Sequence, residues 1–315
     1  MPLEALFARY RAAGYAAAAA GAGPAADEQI YLALLAAGER DWLAAERHAA
    51  LAAAAQPGEL VYAACAEYLA RVRAAGQQGV YVAPEAFGAF IRGGGNLPLY
   101  QAVSAALRQA HQAAGARSLL DIGVGDGLAL LPALTDAIER VDLVEPSAAL
   151  LTIASQQLMA RSVPHQAFQG TLQEFVARAD DRWDVAEATF SLQSIEPAER
   201  VPLLAWLRAH CGRLLIAEFD TPAFADMYAP ERVRYVLERF GQGLAEYAGD
   251  GGLVAQGFLM PVMFGYFDRT AARTNYEHPL AEWQAQLQAA GFTQIAARQL
   301  YPYWWAPAFL LEASA

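Results

Sequence analysis

The stretch Ser118-Leu-Leu-Asp-Ile-Gly-Val-Gly-Asp-Gly127 limits the fold of this chain more than any other part. Leu119 to Ile122 is a short apolar run, the pattern of a buried strand. It stops at Gly123, Gly125 and Gly127, and Leu128 to Ile138 then reads as helix. Glycine has no Cβ, so alternate glycines let the chain turn sharply and bring its backbone against a ligand. The helix that follows opens with unbonded N–H groups and the positive end of its dipole. Asp121 sets a carboxylate beside the turn. Open α/β sheets bind nucleoside-type ligands at such strand–turn–helix junctions. Asp121, Gly123, Gly125 and Asp126 are therefore candidate binding residues.

Three ligands compete for the turn. A P-loop needs Gly-Lys-Ser/Thr, and the chain contains no lysine. A dinucleotide fingerprint needs G-x-G-x-x-G/A, and its third position here is Leu128. The spacing present, Asp-x-Gly-x-Gly-x-Gly, resembles the first motif of class I S-adenosylmethionine-dependent methyltransferases. Arg140-Val-Asp-Leu-Val-Glu-Pro146 reads as the next strand, ending at Glu145. In that family an acidic residue there accepts hydrogen bonds from both ribose hydroxyls, and Pro146 stands beside it. Nicotinamide enzymes use the same device, so Glu145 argues for a ribose more than for one cofactor. The resemblance covers about 118–315 and is strongest at 118–147.

It implies an α/β fold with a seven-stranded, mostly parallel, doubly wound sheet whose last strand is antiparallel. To this the sequence adds an all-helical N-terminal segment. The expected organisation is a helical lid or dimerisation segment over 1–116, followed by a cofactor-binding domain over 117–315. A substrate-side insertion is expected at about 221–278.

The chain is long enough for one large domain with a helical accessory, and 56% of its residues are hydrophobic. The net charge of −11 opposes nucleic acid and anionic membranes, which need a basic footprint. No run reaches the ~18 apolar residues of a membrane span. Cys65 and Cys211 give neither a disulfide framework nor a metal pattern, which points to reduced thiols and a cytoplasmic setting. No metal-ligand cluster stands out, so no metal is expected.

In the N-terminal segment, Leu3, Leu6, Phe7 and Tyr10 mark one buried helix face. Further helices are expected at about 27–37, 41–55 and 59–74, with breaks at Pro57-Gly58 and Gly76–Gly79. Such a segment serves as a lid, a homodimer surface or both. The run Gly93-Gly-Gly95 reads as a flexible or tightly turned link. In the resembling family the segment before the first strand folds over the cofactor's methionine end, which makes Arg92, Asn96 and Tyr100 candidates. The plain alternative is an interdomain hinge.

From 117 to 220 strand and helix signals alternate, as in a parallel sheet covered on both faces. Thr171 and Glu174 have the spacing of a capping box. The family's third motif packs on the adenine at that junction, which adds Thr171 and Leu172. Phe190-Ser-Leu-Gln-Ser194 leaves the fourth strand, making Phe190 and Ser191 cofactor candidates and Gln193 a substrate candidate. Glu187 is unexpected inside an apolar strand and must be paired or poised in a site. The helix after Pro197 is expected to become regular only near Pro202. Glu218 and Asp220, at the carboxyl end of the fifth strand, are the candidate substrate-side bases. Capping the next turn is their plain alternative.

Beyond 221, Val233, Val236, Leu237, Phe240 and Leu244 form a helical stripe, and 257–267 is aromatic-rich, more a core signal than a substrate box. His278 precedes a helix through Trp283 that ends at Gly291; as a base it is a minority reading beside a cap or surface role. The final helix, strand, aromatic loop and strand resemble the antiparallel closing hairpin of class I methyltransferases. Tyr301, Tyr303 and Trp304 in that loop are candidate substrate contacts, able to cage positive charge if carbon is the acceptor.

The function implied is methyl transfer from S-adenosylmethionine, with S-adenosylhomocysteine as product, to the O, N or C atom of a small molecule of specialised metabolism. Three alternatives stand beside it. One is a non-methylating enzyme of this fold that uses S-adenosylmethionine in cyclisation or decarboxylation. Another is an NAD-dependent oxidoreductase. The last is a helical interaction protein with a degenerate domain.

Overall fold

The computed structural model describes residues 1–75 and 84–315 of the chain. The helix break expected at Gly76–Gly79 lies outside the described residues. Two compact units are present, one of Met1–Leu97 with Phe224–Ala272, the other of Pro98–Ala223 with Arg273–Ala315.

The first unit begins with α1 (Leu3–Ala19), α2 (Ala26–Gly38), α3 (Trp42–Ala55), α4 (Leu60–Ala75) and α5 (Pro84–Ile91). Every residue of α2 from Ile30 to Gly38 is buried, as suits a stretch of helix apolar all round. Asp41 caps α3 by accepting the Ala44 N–H at 3.0 Å.

The second unit takes up the chain with α6 (Asn96–Ala114), β1 (Ser118–Ile122), α7 (Leu130–Ala133), β2 (Arg140–Glu145), α8 (Ala148–Ala160), β3 (His165–Gln169), α9 (Leu172–Val176), β4 (Trp183–Thr189), α10 (Pro197–His210) and β5 (Cys211–Phe219). The first unit is completed by α11 (Pro230–Glu246) and α12 (Met260–Gly265), and the second by α13 (Leu280–Ala289), β6 (Gln294–Tyr301) and β7 (Ala308–Ser314).

The boundary thus lies at 97/98 and not at 116/117, and 224–272 groups with the N-terminal helices. Helix α6 goes with the second unit, where its polar side chains bond the α7 segment. Ser104 Oγ donates to Ala129 O at 2.9 Å, and His111 sits 3.2 Å from Ala133 O. The aromatic-rich segment places Leu259, Met260, Met263, Phe264 and Phe267 in buried positions; Phe264 stacks on Tyr68 with ring centroids 5.0 Å apart.

Gly93–Gly95 form a packed turn. Gly94 has φ +45°, and a Cβ on it would lie 2.8 Å from atoms of Glu246 and Tyr247. Gly95 N donates to Glu246 at 2.7 Å. The Asn96 amide donates to Phe90 O at 2.9 Å and to the Tyr247 hydroxyl at 3.1 Å. Asn96 therefore serves this turn.

The sheet runs β3-β2-β1-β4-β5-β7-β6. β1 to β5 are parallel, while β7 is antiparallel to both β5 and β6. Seven strands and the closing antiparallel pair agree with the fold expected from the sequence. β1, β4 and β5 read as near-continuous apolar runs because helices cover both faces. One core cluster packs Trp183, Leu204, Leu207, Trp283 and Leu287 against Leu120, Ile216 and Leu311. β6 is one of the two edges, mostly exposed, and carries Arg298 and Gln299.

Two local expectations fail. Helix over 128–138 shrinks to Leu130–Ala133, because Leu134 turns extended at ψ 142°. Helix α10 starts at Pro197 and accommodates Pro202 within it. Its capping residue Glu196 is extended, and Pro197 needs no N–H at the first position. Among the described residues no helix is long and apolar enough to cross a membrane. Nor do three or more His, Cys, Asp or Glu side chains gather in a metal-holding group.

Candidate active site

Strand order reverses between β1 and β4, since β2 and β3 lie on one side and β5 on the other. Loops leaving the carboxyl ends of such strands part in opposite directions and open a crevice. The glycine turn after β1 and the loop 190–194 after β4 line this crevice.

The turn requires its glycines. Gly123, Gly125 and Gly127 have φ of +72°, +57° and +85°, the left-handed region that side chains disfavour. A Cβ on Gly123 would come within 2.4 Å of Ser191 Cβ, whereas one on Gly125 would meet nothing within 4 Å. Gly123 thus packs on the β4 loop, and Gly125 leaves its backbone approachable. Ser191 fixes the contact by donating from Oγ to Ile122 O at 2.6 Å.

Glu145 ends β2 directly beside the turn. Its carboxylate accepts from Gly125 N at 3.0 Å and from Ser147 N at 2.8 Å. Asp121 is 4% exposed. Burial, then the Glu187 and Glu145 carboxylates, hold its carboxyl well above the usual range.

An aromatic ladder leads away from the turn. Tyr100 of α6 meets Phe190 edge-on at 6.0 Å. Phe190 stacks on Phe219 at 4.5 Å, Phe219 on Tyr303 at 5.4 Å, and Tyr303 tilts against Trp304 at 5.3 Å. Burial pushes the Tyr100 hydroxyl up to about 12, with the Asp126 carboxylate adding to it. Phe190 has φ +51°; for a bulky residue this is a strained backbone, of the kind that gathers at ligand sites.

Beyond the ladder three loops are tied together. Gln193 N donates to Glu218 Oε1 at 3.1 Å, Tyr276 N to Gln193 O at 2.8 Å, and Thr221 N to His278 O at 3.2 Å. Arg200 holds them from below. It is 1% exposed, donates to Ile195 O at 2.8 Å and Tyr276 O at 2.7 Å, and lies 4.4 Å over the Trp283 ring. Glu218 Oε2, Gln193 Oε1, Thr221 Oγ1 and His278 Nε2 are buried here with no hydrogen-bond partner among the described residues. Orphaned buried polar atoms are costly, and in one place they mark a site that expects a ligand.

Burial pushes Glu218 up to about 8; Glu277 adds to this, and Arg200 with two backbone N–H groups opposes it. Burial first, then Arg200 and Arg273, push His278 down to about 4. Both groups are thus mainly uncharged at neutral pH. Asp220 Oδ1 accepts Leu280 N at 2.7 Å, at the start of α13 and not in the turn that follows it.

The linkage for Glu218 has a definite sign. Its folded pKa lies above the unfolded one, so the unfolded chain binds fewer protons between about pH 4.5 and 8, and stability falls across that window. Glu218→Gln removes this penalty. The variant should gain stability relative to the parent as pH rises from 4.5 to 8, on the order of a few kcal/mol at the top. Denaturant melts at pH 5 and 8 read it, and an equal difference at both pH values contradicts it.

The remaining candidates lie elsewhere. Thr171 is exposed and closes the capping box with Glu174. Leu172 is 4% exposed within the sheet core. Pro146 is exposed beside Glu145, and Tyr301 ends β6 opposite Ala308. Arg92 is exposed and belongs to the first unit. The sequence offered no signal for Arg200 or His111, whose partners are remote along the chain.

No family model and no curated protein matches the chain. Solved structures similar to it include a Nostoc punctiforme protein provisionally described as an O-methyltransferase, at 15% identity over 67% of this chain and 55% of that one, TM-score 0.45. Magnesium protoporphyrin IX methyltransferase of Synechocystis with bound SAM is similar at 15% identity over 69% and 80%, TM-score 0.43. PigF with SAH is similar at 14% identity over 67% and 54%, TM-score 0.43. The chain spans little more than half the length of the first and third of these. At such identities the likeness is one of fold.

Proposed function

On the fold of a class I S-adenosylmethionine-dependent methyltransferase, we propose that this chain transfers a methyl group from S-adenosylmethionine to a small-molecule acceptor. One observation carries the reading: the left-handed glycine turn with the Glu145 carboxylate beside it at a strand-order reversal. The residues present fit the cofactor. Glu145 receives two N–H groups and keeps acceptor capacity for ribose hydroxyls. Gly125 keeps its backbone open to a ligand. Tyr100, Asp126, Phe190 and Ser191 flank the turn as further contacts. Pro146, Thr171 and Leu172 are proposed as outer contacts.

When bound, the cofactor supplies a methyl group that is already electrophilic. The protein aligns the acceptor in line with it and excludes water. In this reading the acceptor lies along Phe190, Phe219, Tyr303 and Trp304 toward Gln193 and Glu218. A hydroxyl acceptor would pass its proton to Glu218 Oε2. Because Glu218 is mainly protonated below pH 8, turnover of such an acceptor should rise toward pH 8. Asp220 shapes that loop, and neutral His278 offers the second acceptor of a proton. A carbon acceptor would draw on the aromatic ladder and need no base; Tyr301 is proposed as a further substrate contact.

Calorimetry with S-adenosylmethionine, S-adenosylhomocysteine and NAD, followed by mass spectrometry of candidate acceptors, tests the proposal. Binding of the first two, with S-adenosylhomocysteine formed only when an acceptor is present, is expected. Heat with NAD alone would favour the oxidoreductase. Acceptor conversion without S-adenosylhomocysteine would favour the non-methylating alternative. Well-folded protein that takes up none of the three would end the reading.

A further inference from the structure

Beneath the glycine turn lies a group of side chains that the reaction itself does not call for. Asp121 of β1 and Glu187 of β4 are register partners on adjacent parallel strands, so they leave the same face of the sheet side by side. Both are buried, at 4% and 1% exposure. His111 of α6 stands behind them, with Nε2 2.5 Å from Glu187 Oε2 and Nδ1 3.2 Å from Ala133 O. Both partners are acceptors, and a neutral imidazole has one N–H. The pair is therefore an imidazolium beside a carboxylate, or shares that same proton.

Glu187 Oε1 is buried with no donor among the described residues. Asp121 can serve it only by carrying a proton, since two carboxylates have no hydrogen between them. Glu145 from β2 is the third carboxylate acting on Asp121, and Arg108 of α6 acts on His111 against its charge. Three ionised carboxylates against one imidazolium would leave two uncompensated charges in a nearly dry space. One retained proton halves that.

We infer that Asp121, Glu187 and His111 form a buried charge chain that selects a cationic ligand at the glycine turn: Asp121 holds a proton while no cation is seated and releases it when one is. The inference rests on S-adenosylmethionine being the cofactor. A sulfonium carries one positive charge more than the thioether it becomes. Its charge takes the place of the proton's, and the proton passes to solvent. The neutral thioether leaves Asp121 protonated. The chain thereby favours the charged cofactor over its product.

Proton release is directly measurable. Calorimetry at pH 7 in phosphate and in Tris, which differ in ionisation heat, should show about one proton released with S-adenosylmethionine and clearly fewer with S-adenosylhomocysteine. The affinity ratio of the two should rise with pH. Asp121→Asn keeps the shape and a donor for Glu187 but has no proton to lose. It should bind S-adenosylmethionine without proton release and lose about tenfold of the preference. Equal proton counts for the two ligands in the parent protein overturn this inference and leave the cofactor reading standing. Absence of binding by both ligands overturns the two together.

Discussion

Glu145→Ala should lower affinity for S-adenosylhomocysteine by about 10²–10⁴-fold. Each ribose hydroxyl bonded to a carboxylate contributes about 1.5–3 kcal/mol, and every 1.4 kcal/mol is a factor of about ten in affinity. The substitution also removes the acceptor for Gly125 N–H and Ser147 N–H, so the turn loses its brace as well as its ligand contact. Glu145→Gln separates these effects, because it keeps one acceptor oxygen in place without the charge; it should fall between parent and alanine. Titration calorimetry on protein shown to be folded by circular dichroism is the measurement. An alanine variant that binds within tenfold of the parent would place the nucleoside somewhere other than this turn.

The largest effect on stability is expected at Arg200, which sequence reasoning overlooked. Arg200→Leu should cost on the order of 3–5 kcal/mol. Two carbonyls lose well-made bonds at about 1–3 kcal/mol each, and the cation loses the Trp283 face, worth about 1–2 kcal/mol when desolvated. Burial lowers the guanidinium to about 10, so it stays charged at neutral pH and faces Glu218 as a cation. Removing it should also push Glu218 further toward its neutral form. Arg200→Lys should restore little, because a point ammonium cannot reproduce the fork that meets Ile195 O and Tyr276 O together. Urea melts decide this: a leucine variant within 1 kcal/mol of the parent would show that the loops 190–195 and 276–280 hold without the tie.

The two expectations concern different loops, and only one was accessible from sequence. Glu145 stands 20 residues from Gly125, at the tip of the next strand, and a periodic apolar run announces its place. Arg200 reads as an ordinary residue near the start of a helix. Its meaning comes from Tyr276, 76 residues away, and from Trp283. Glu187 falls between these cases. A carboxylate inside an apolar strand signals a partner, but nothing local says that the partner is His111 or that Asp121 lies alongside. The glycine run 93–95 left a flexible or a tightly turned link open, and Glu246 and Tyr247 pack it into a turn.

By itself the sequence determined the glycine turn, the acidic strand tip, the alternation of strands with helices and the helical N-terminus, because each is written in residues within a few turns of one another. Strand-end chemistry and period are local properties of backbone sterics and side-chain spacing. Tertiary structure alone decided the ionisation of Asp121, Glu218 and His278, the ties made by Arg200 and the line of rings from Tyr100 to Trp304. Those depend on burial and on groups brought together from distant parts of the chain, and desolvation and Coulomb forces act through space and not along the sequence.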